Sequence, residues 1–278
     1  MVGNVEERVA RHYARSDLEA AILEALVASG KDLDRLVPVD LAPVDEFHTG
    51  GRQATVEFAA QIDLTPDMHL LDIGCGIGGA SRFFAEACGC RVTGIDLTAD
   101  YVRTAGALAR RVGLAARVAY RQASALALPF EPETFDGAYM MHVGMNIEDK
   151  SALFTEVRRV LKAGGVFAIY DVMRTGEGEL SFPVHWAANS QTSFVIWPED
   201  YRRALEAAGF QVHKQRDRRA FAREFFRQVA ARAAEDGAPP PLGVHLLMKS
   251  DVPQKLTNVM RNLEQGLIAP VELICRAR

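Results

Sequence analysis

The sequence predicts an α/β fold: a doubly wound, mostly parallel sheet of seven strands, with a helical N-terminal lid and a helical insertion before the last strand. Three observations point there. Short β-rich runs alternate with helix-period runs through the middle of the chain, and each parallel strand pair needs a crossover that a helix fills. A glycine run sits between the first such strand and its helix. The chain has 278 residues and is 49% apolar, which is enough for one large core with appendages.

Residues 1–66 are mostly helical in pattern and form the expected lid. His69 to Ile73 (HLLDI) reads as a buried strand, Ala80 to Cys88 as a helix and Arg91 to Ile95 as the next strand. Thr98 is placed to cap a helix whose Val102, Ala105, Leu108, Ala109 and Val112 make one apolar stripe before Gly113 ends it. Arg117 to Gln122 and Phe135 to His142 are the third and fourth strands. Ser151 is the expected cap of a helix carrying Leu153, Phe154, Val157, Val160 and Leu161, stopped by Gly164 and Gly165. Val166 to Val172 is the fifth strand, Pro198 starts a helix that runs to Gly209, and Gln211 to Arg216 and Val271 to Arg276 complete the sheet.

The expected organisation is therefore a lid (1–66), a core (67–217) that includes a long loop (173–197), a helical insertion (218–269) and a final strand (270–278). Loops of that length are usually functional or disordered, and Phe182, Trp186, Phe194 and Trp197 argue for order here. The insertion is broken at Gly237-Ala238-Pro239-Pro240-Pro241 and suits either a homodimer arm or a chamber roof.

Composition narrows the function. Lys+Arg 32 against Asp+Glu 36 gives a net charge of -4, so no global basic field exists to hold nucleic acid. No stretch reaches the roughly 20 apolar residues of a membrane span, and the charged N-terminus lacks a signal core. Four cysteines without a CxxC pair or disulfide spacing read as reduced thiols, so a cytoplasmic protein is expected. Seven scattered histidines give no metal-ligand spacing, and no metal is expected.

The run Leu70-Leu71-Asp72-Ile73-Gly74-Cys75-Gly76-Ile77-Gly78-Gly79 lets bare backbone approach a ligand at a helix N-terminus. Read as Gly74, Gly76 and Gly79 it also fits the dinucleotide pattern GxGxxG. Asp72 argues against that: a carboxylate at the strand tip repels a pyrophosphate but suits a cationic ligand such as an aminoacyl sulfonium. Asp96, at the end of the second strand, is placed to accept both hydroxyls of a ribose.

These residues resemble the class I S-adenosylmethionine-dependent methyltransferases. LLDIGCGIGG is similar to the family's first motif and VTGIDLT to its ribose-binding strand end. ALALPFEPETFDGAYMMHVGMNI and EVRRVLKAGGVFAIYDV are similar to its later core segments. The likeness covers about residues 67–172. DEFHTGG (Asp45 to Gly51) resembles the segment before the core in small-molecule enzymes that methylate sterols, phosphoethanolamine and glycine or sarcosine. The resemblance implies a Rossmann-like fold and S-adenosylmethionine as cofactor, with Gly74 and Gly76 against its amino-acid part and Leu97 against the adenine face. The wider cofactor set it implies adds His48, Gly51, Asp72, Cys75, Asp96, Ser124, Ala125 and Met141. Where the family usually has an acid to receive the adenine amino group, this chain has Ala123-Ser124-Ala125.

Methyl transfer from a sulfonium mainly requires alignment and exclusion of water, and a base only when the acceptor carries a proton. His142, after the fourth strand, is the candidate base. Asn146, Asp149 and Asp171 are candidates to orient a polar acceptor, with Asp149 alternatively a helix cap. His48, followed by Gly50 and Gly51, is the lid candidate; Tyr13 can reach the cofactor or lie on a helix surface. Trp186 with His185, and Trp197, either line an acceptor chamber or pack the loop down. The leading expectation is a methyltransferase acting on a small-molecule oxygen, nitrogen or carbon nucleophile. An NAD-dependent oxidoreductase and a non-catalytic cofactor-binding protein are the alternatives.

Overall fold

A computed structural model describes residues 5–236, 240–248 and 251–278, with backbone alone for 233–236. The first part of the proline-rich break, 237–239, lies outside the described residues. Among the described residues the N-terminal segment holds α1 (Val5–Tyr13), α2 (Leu18–Ala28), α3 (Ala42–Asp45) and α4 (Gly51–Ala59). The core then runs β1 (His69–Ile73), α5 (Gly79–Cys88), β2 (Arg91–Asp96), α6 (Ala99–Arg111), β3 (Val118–Gln122) and β4 (Phe135–Met141). It continues through α7 (Lys150–Val160), β5 (Leu161–Arg174), α8 (Pro198–Ala207) and β6 (Phe210–Asp217), followed by α9 (Arg219–Asp236), α10 (Val252–Glu264) and β7 (Ile268–Ala277).

The strands form one seven-stranded sheet in the order β3-β2-β1-β4-β5-β7-β6. The sheet is mixed: β1 to β5 pair in parallel, whereas β7 lies antiparallel to both β5 and β6. Hydrophobic runs do not encode strand direction. The helical insertion returns the chain to the sheet from the opposite end, where β7 slots between β5 and β6. Among the described residues, α9 and α10 lie between β6 and β7.

Burial on both faces explains the near-continuous apolar strands. Leu71, Ile73, Phe135, Met140, Phe167 and Ile169 pack beneath α7 and α8, while Leu70, Tyr139, Ala168 and Tyr170 pack beneath α4 and α5. Phe84 of α5 stacks on Tyr139 of β4 with ring centroids 4.3 Å apart. Two satellite clusters attach the appendages. Leu18, Ile22 and Leu26 of α2 meet Tyr101 and Leu108 of α6, and Trp186 packs with Phe226 of α9 and Val259 of α10.

Two caps differ from expectation. Asp149, not Ser151, caps α7, accepting the Ala152 N–H at 2.8 Å. Thr98 occupies the N-cap of α6, but its side chain makes no cap bond to the helix, and its N–H goes to Asp96 at 2.8 Å. A carboxylate accepts such a bond more strongly than a hydroxyl does, so Asp149 takes the cap of α7. The fifth strand extends to Arg174 and takes up the start of the expected 173–197 loop. No helix among the described residues is long and apolar enough to cross a membrane.

Candidate active site

The strand order reverses between β1 and β4, and the carboxyl ends of β1, β2 and β4 open there into one crevice, the usual ligand position in such sheets. Gly76 lies in the loop after β1 at φ +54°, and a Cβ built on it would meet nothing within 4 Å because the residue faces the cavity. Gly79 has a different purpose: its Cβ would stand 2.5 Å from Asp45, so this position is glycine to seat α3 against α5. The GxGxxG spacing thus mixes one ligand-facing glycine with one packing glycine.

Two carboxylates flank the loop. Asp72, 2% exposed at the end of β1, accepts the Ser81 hydroxyl at 2.6 Å. Burial pushes its carboxyl up to about 7, opposed by that hydrogen bond. Asp96, at the end of β2, accepts the N–H groups of Gly76 at 3.0 Å and Thr98 at 2.8 Å. Burial raises it, and those two backbone bonds hold it down. Asp96 lines the cavity, and a carboxylate has the acceptor capacity that a ribose diol requires. The Cys75 N–H, bonded to the Ile95 carbonyl at 2.8 Å, locks the loop to β2.

The N-terminal segment forms the opposite wall. Arg82 of α5, 1% exposed, pairs with Asp45 and donates to the Ile77 carbonyl at 2.8 Å, clamping α3 onto the glycine loop. Buried Glu46 accepts the Thr55 hydroxyl at 2.7 Å and lies 3.6 Å from His48 Nε2, which in turn meets Thr55 Oγ1 at 3.0 Å. Burial lowers the His48 pKa and Glu46 opposes it, so the ring is neutral near pH 7.

His142 follows β4 with φ +56°, a left-handed conformation that costs a non-glycine residue energy. It lines the cavity, but its Nε2 accepts the Thr49 N–H at 3.4 Å and its Nδ1 faces the Tyr170 carbonyl at 3.3 Å. Burial, with His48 alongside, holds its pKa well below the usual histidine range. Both nitrogens face backbone, so His142 fits a positioning role better than the base expected of it.

A cavity of about 1620 Å³ joins these elements. Single ligand pockets are typically about 300–1,000 Å³, so the space suits two ligands side by side. The glycine-loop end holds Asp72, Gly74, Cys75, Gly76, Asp96, Leu97, Ala125 and Met141, with His48 and Gly51 across from them. Much of the remaining lining is apolar, with Phe47, Met145, Trp186, Phe225, Phe226 and Leu256, and it also carries the charged Lys150, Asp200, Arg203 and Arg232. The insertion therefore roofs this chamber. Tyr13 lines it too, donating to Asn146 Oδ1 at 3.0 Å, while the Asn146 amide donates to the Trp186 carbonyl at 2.8 Å. Asn146 thus ties helix to loop. The Trp186 indole donates to Ser193 at 2.9 Å, so this residue both lines the chamber and packs the loop.

Three expected site residues stand apart. Trp197 is the N-cap of α8 and does not line the cavity. Asp171, fully buried, accepts the Tyr201 hydroxyl at 2.5 Å behind the wall. Ser124 has its hydroxyl turned to Glu6 of α1. Sequence reasoning missed Glu6 and Glu46. Glu46 lay within the quoted DEFHTGG segment, whereas nothing in the helical N-terminus distinguished Glu6 from its neighbours.

Residues 71–169 match the methyltransferase domain family. A sterol 24-C-methyltransferase of Gibberella zeae is 33% identical over 117 residues, 42% of this chain and 31% of that protein. A phosphoethanolamine N-methyltransferase of Triticum aestivum is 33% identical over 171 residues, 61% of this chain and 33% of that protein. The chain spans about a third of the length of these curated relatives. Among solved structures, a geranyl diphosphate C-methyltransferase of Streptomyces coelicolor, in complex with Mg2+, geranyl diphosphate and S-adenosyl-L-homocysteine, superposes with a TM-score of 0.72. It covers 100% of this chain and 99% of its own at 18% identity, a likeness of fold.

Proposed function

We propose that this chain, whose residues 71–169 form a methyltransferase domain, transfers a methyl group from S-adenosylmethionine to a small, predominantly apolar acceptor by in-line displacement. The observation that carries the reading is the single cavity in which a glycine loop with two carboxylates opens directly onto an aromatic and aliphatic chamber. The residues fit the donor: Gly76 leaves room for close approach, Asp96 is braced to receive ribose hydroxyls, and Asp72 offers negative charge beside a cation. A pyrophosphate would face Asp72 and Asp96 together, which disfavours the dinucleotide alternative.

When bound, the donor supplies an electrophilic methyl on a sulfonium, so the protein's work is alignment and dehydration. Phe225, Phe226 and Trp186 exclude water from the acceptor side. Tyr13, held by Asn146, closes the chamber from the lid. For an acceptor that carries a proton, His48, neutral near pH 7 and lining the cavity with Glu46 behind it, is the candidate base. His142 positions Thr49 and the end of β4 around that pair. The reduced, unpaired cysteines support a cytoplasmic setting.

Calorimetric titration with S-adenosylmethionine, S-adenosylhomocysteine and NAD tests the donor assignment. Binding of the first two without the third supports it, and heat from NAD alone defeats it. A labelled-methyl assay over apolar and highly charged acceptor panels tests the chamber reading. Turnover confined to charged acceptors contradicts it.

A further inference from the structure

We propose that Glu6, carried on α1, supplies the hydrogen-bond acceptor that reads the amino group of the donor's adenine, so that a lid residue sets nucleobase specificity. The proposal rests on the donor assignment above. Beyond Asp96 the cavity wall is formed by Leu97, Ala123, Ala125 and Leu126, small and aliphatic surfaces suited to the faces of a flat ring. Those four side chains provide no acceptor for an exocyclic N–H. A buried donor left without a partner costs about 1–3 kcal/mol, so an adenine site needs one at the ring edge.

The core residue at that edge does not provide it. Ser124 Oγ accepts the Leu126 N–H at 3.0 Å, and its single proton is directed to the Glu6 carboxyl. A serine hydroxyl has one proton to give, and here it fixes Glu6 against the core wall. Glu6 itself lines the cavity together with Ala123, Ala125 and Leu126. Ser124 is thus the mount and Glu6 the acceptor: a residue 118 positions away in sequence delivers a carboxyl where the core strand end has only a hydroxyl.

The rest of α1 gives this arrangement a consequence. Its last turn is tied to the acceptor side, with His12 Nε2 3.0 Å from the His185 carbonyl and Tyr13 bonded to Asn146. One short helix therefore touches the nucleobase end at Glu6 and the acceptor end at Tyr13. Base recognition and closure of the acceptor chamber then depend on the same element.

The test is calorimetric titration of the full chain with S-adenosylhomocysteine and with S-inosylhomocysteine, in which a carbonyl oxygen replaces the amino group. The parent should prefer the adenosyl compound by about 30-fold or more, because a carbonyl oxygen facing a carboxylate gains no hydrogen bond and is repelled. In Glu6→Gln the preference should narrow to about threefold or less, since an amide can donate to the carbonyl oxygen. Ser124→Ala, which removes the mount, should narrow it part of the way, whereas Asp96→Asn should weaken both nucleosides alike. A Glu6→Gln variant that keeps the parent's preference overturns the proposal and leaves the donor assignment standing, as does a parent that binds both compounds equally. A parent that binds neither overturns the donor assignment and this proposal with it.

Discussion

Asp72→Asn separates a buried carboxyl's effect on stability from its effect on ligand charge. Asp72 is 2% exposed, and burial raises its carboxyl from 3.8 to about 7. Between those values the folded chain holds a proton that the unfolded chain has released. Its favourable contribution is complete below 3.8 and is lost as pH rises through about 7. The full linkage amounts to about 4 kcal/mol, more than half of which falls between about pH 5 and about pH 8. Asparagine keeps an acceptor for Ser81 and cannot titrate, so its own packing cost is the same at both pH values. Thermal unfolding of parent and variant at the two pH values isolates the carboxyl, even though Asp45 and Asp171 are also raised by burial, to about 7 and about 6. The parent should lose roughly 5 °C more than the variant between about pH 5 and about pH 8. Parallel losses would show that Asp72 ionises freely and would refute the argument from burial. Titrations of cationic donor against neutral thioether product extend the test. Only the ionised carboxyl attracts a cation, so the parent's affinity for the donor should rise as pH passes about 7, and the variant's should not.

Three further outcomes follow from the same geometry. Arg82→Ala strands Asp45 in the interior and should cost about 3–5 kcal/mol in denaturant unfolding, with Asp45→Asn in the same chain restoring part of it; an unchanged midpoint would mean that the pair does not clamp α3 to α5. Tyr13→Phe removes the bond to Asn146 and should destabilise by about 0.5–1.5 kcal/mol while raising KM for the acceptor more than that for the donor, a split that steady-state kinetics reads directly. Phe226→Ala opens the chamber roof and should cost about 3–5 kcal/mol of stability; retained stability with unaltered acceptor preference would remove α9 from the chamber wall.

Much of the candidate site was legible because its parts are local. A strand that carries Asp72 beside its last residue, turns through Gly74 and Gly76 and enters a helix is recorded in ten consecutive residues, and Asp96 ends the next strand. The crevice residues from Leu97 to Met141 follow from which strand ends meet at the switch point. Trp197 and Asp171 show where that reasoning stops. Both lie beside site-forming segments, but Trp197 caps α8 and Asp171 points to Tyr201, choices set by side-chain direction that adjacency in sequence does not specify. His142 lines the cavity, and the backbone groups of Thr49 and Tyr170 that meet its ring nitrogens come from segments distant in the chain.

By itself the sequence determined the alternating architecture, the glycine loop, the two carboxylates and the position of the insertion, because hydrophobic period and turn chemistry are short-range properties. Only the tertiary structure decided that β7 runs antiparallel, that α9 and α10 roof an apolar chamber, that Glu46 stands behind His48 and that Glu6 lies on Ser124. Each of these joins elements distant in the chain. Such contacts are fixed by the competition to bury apolar faces and to pair every buried polar group, which is settled only when the whole chain packs.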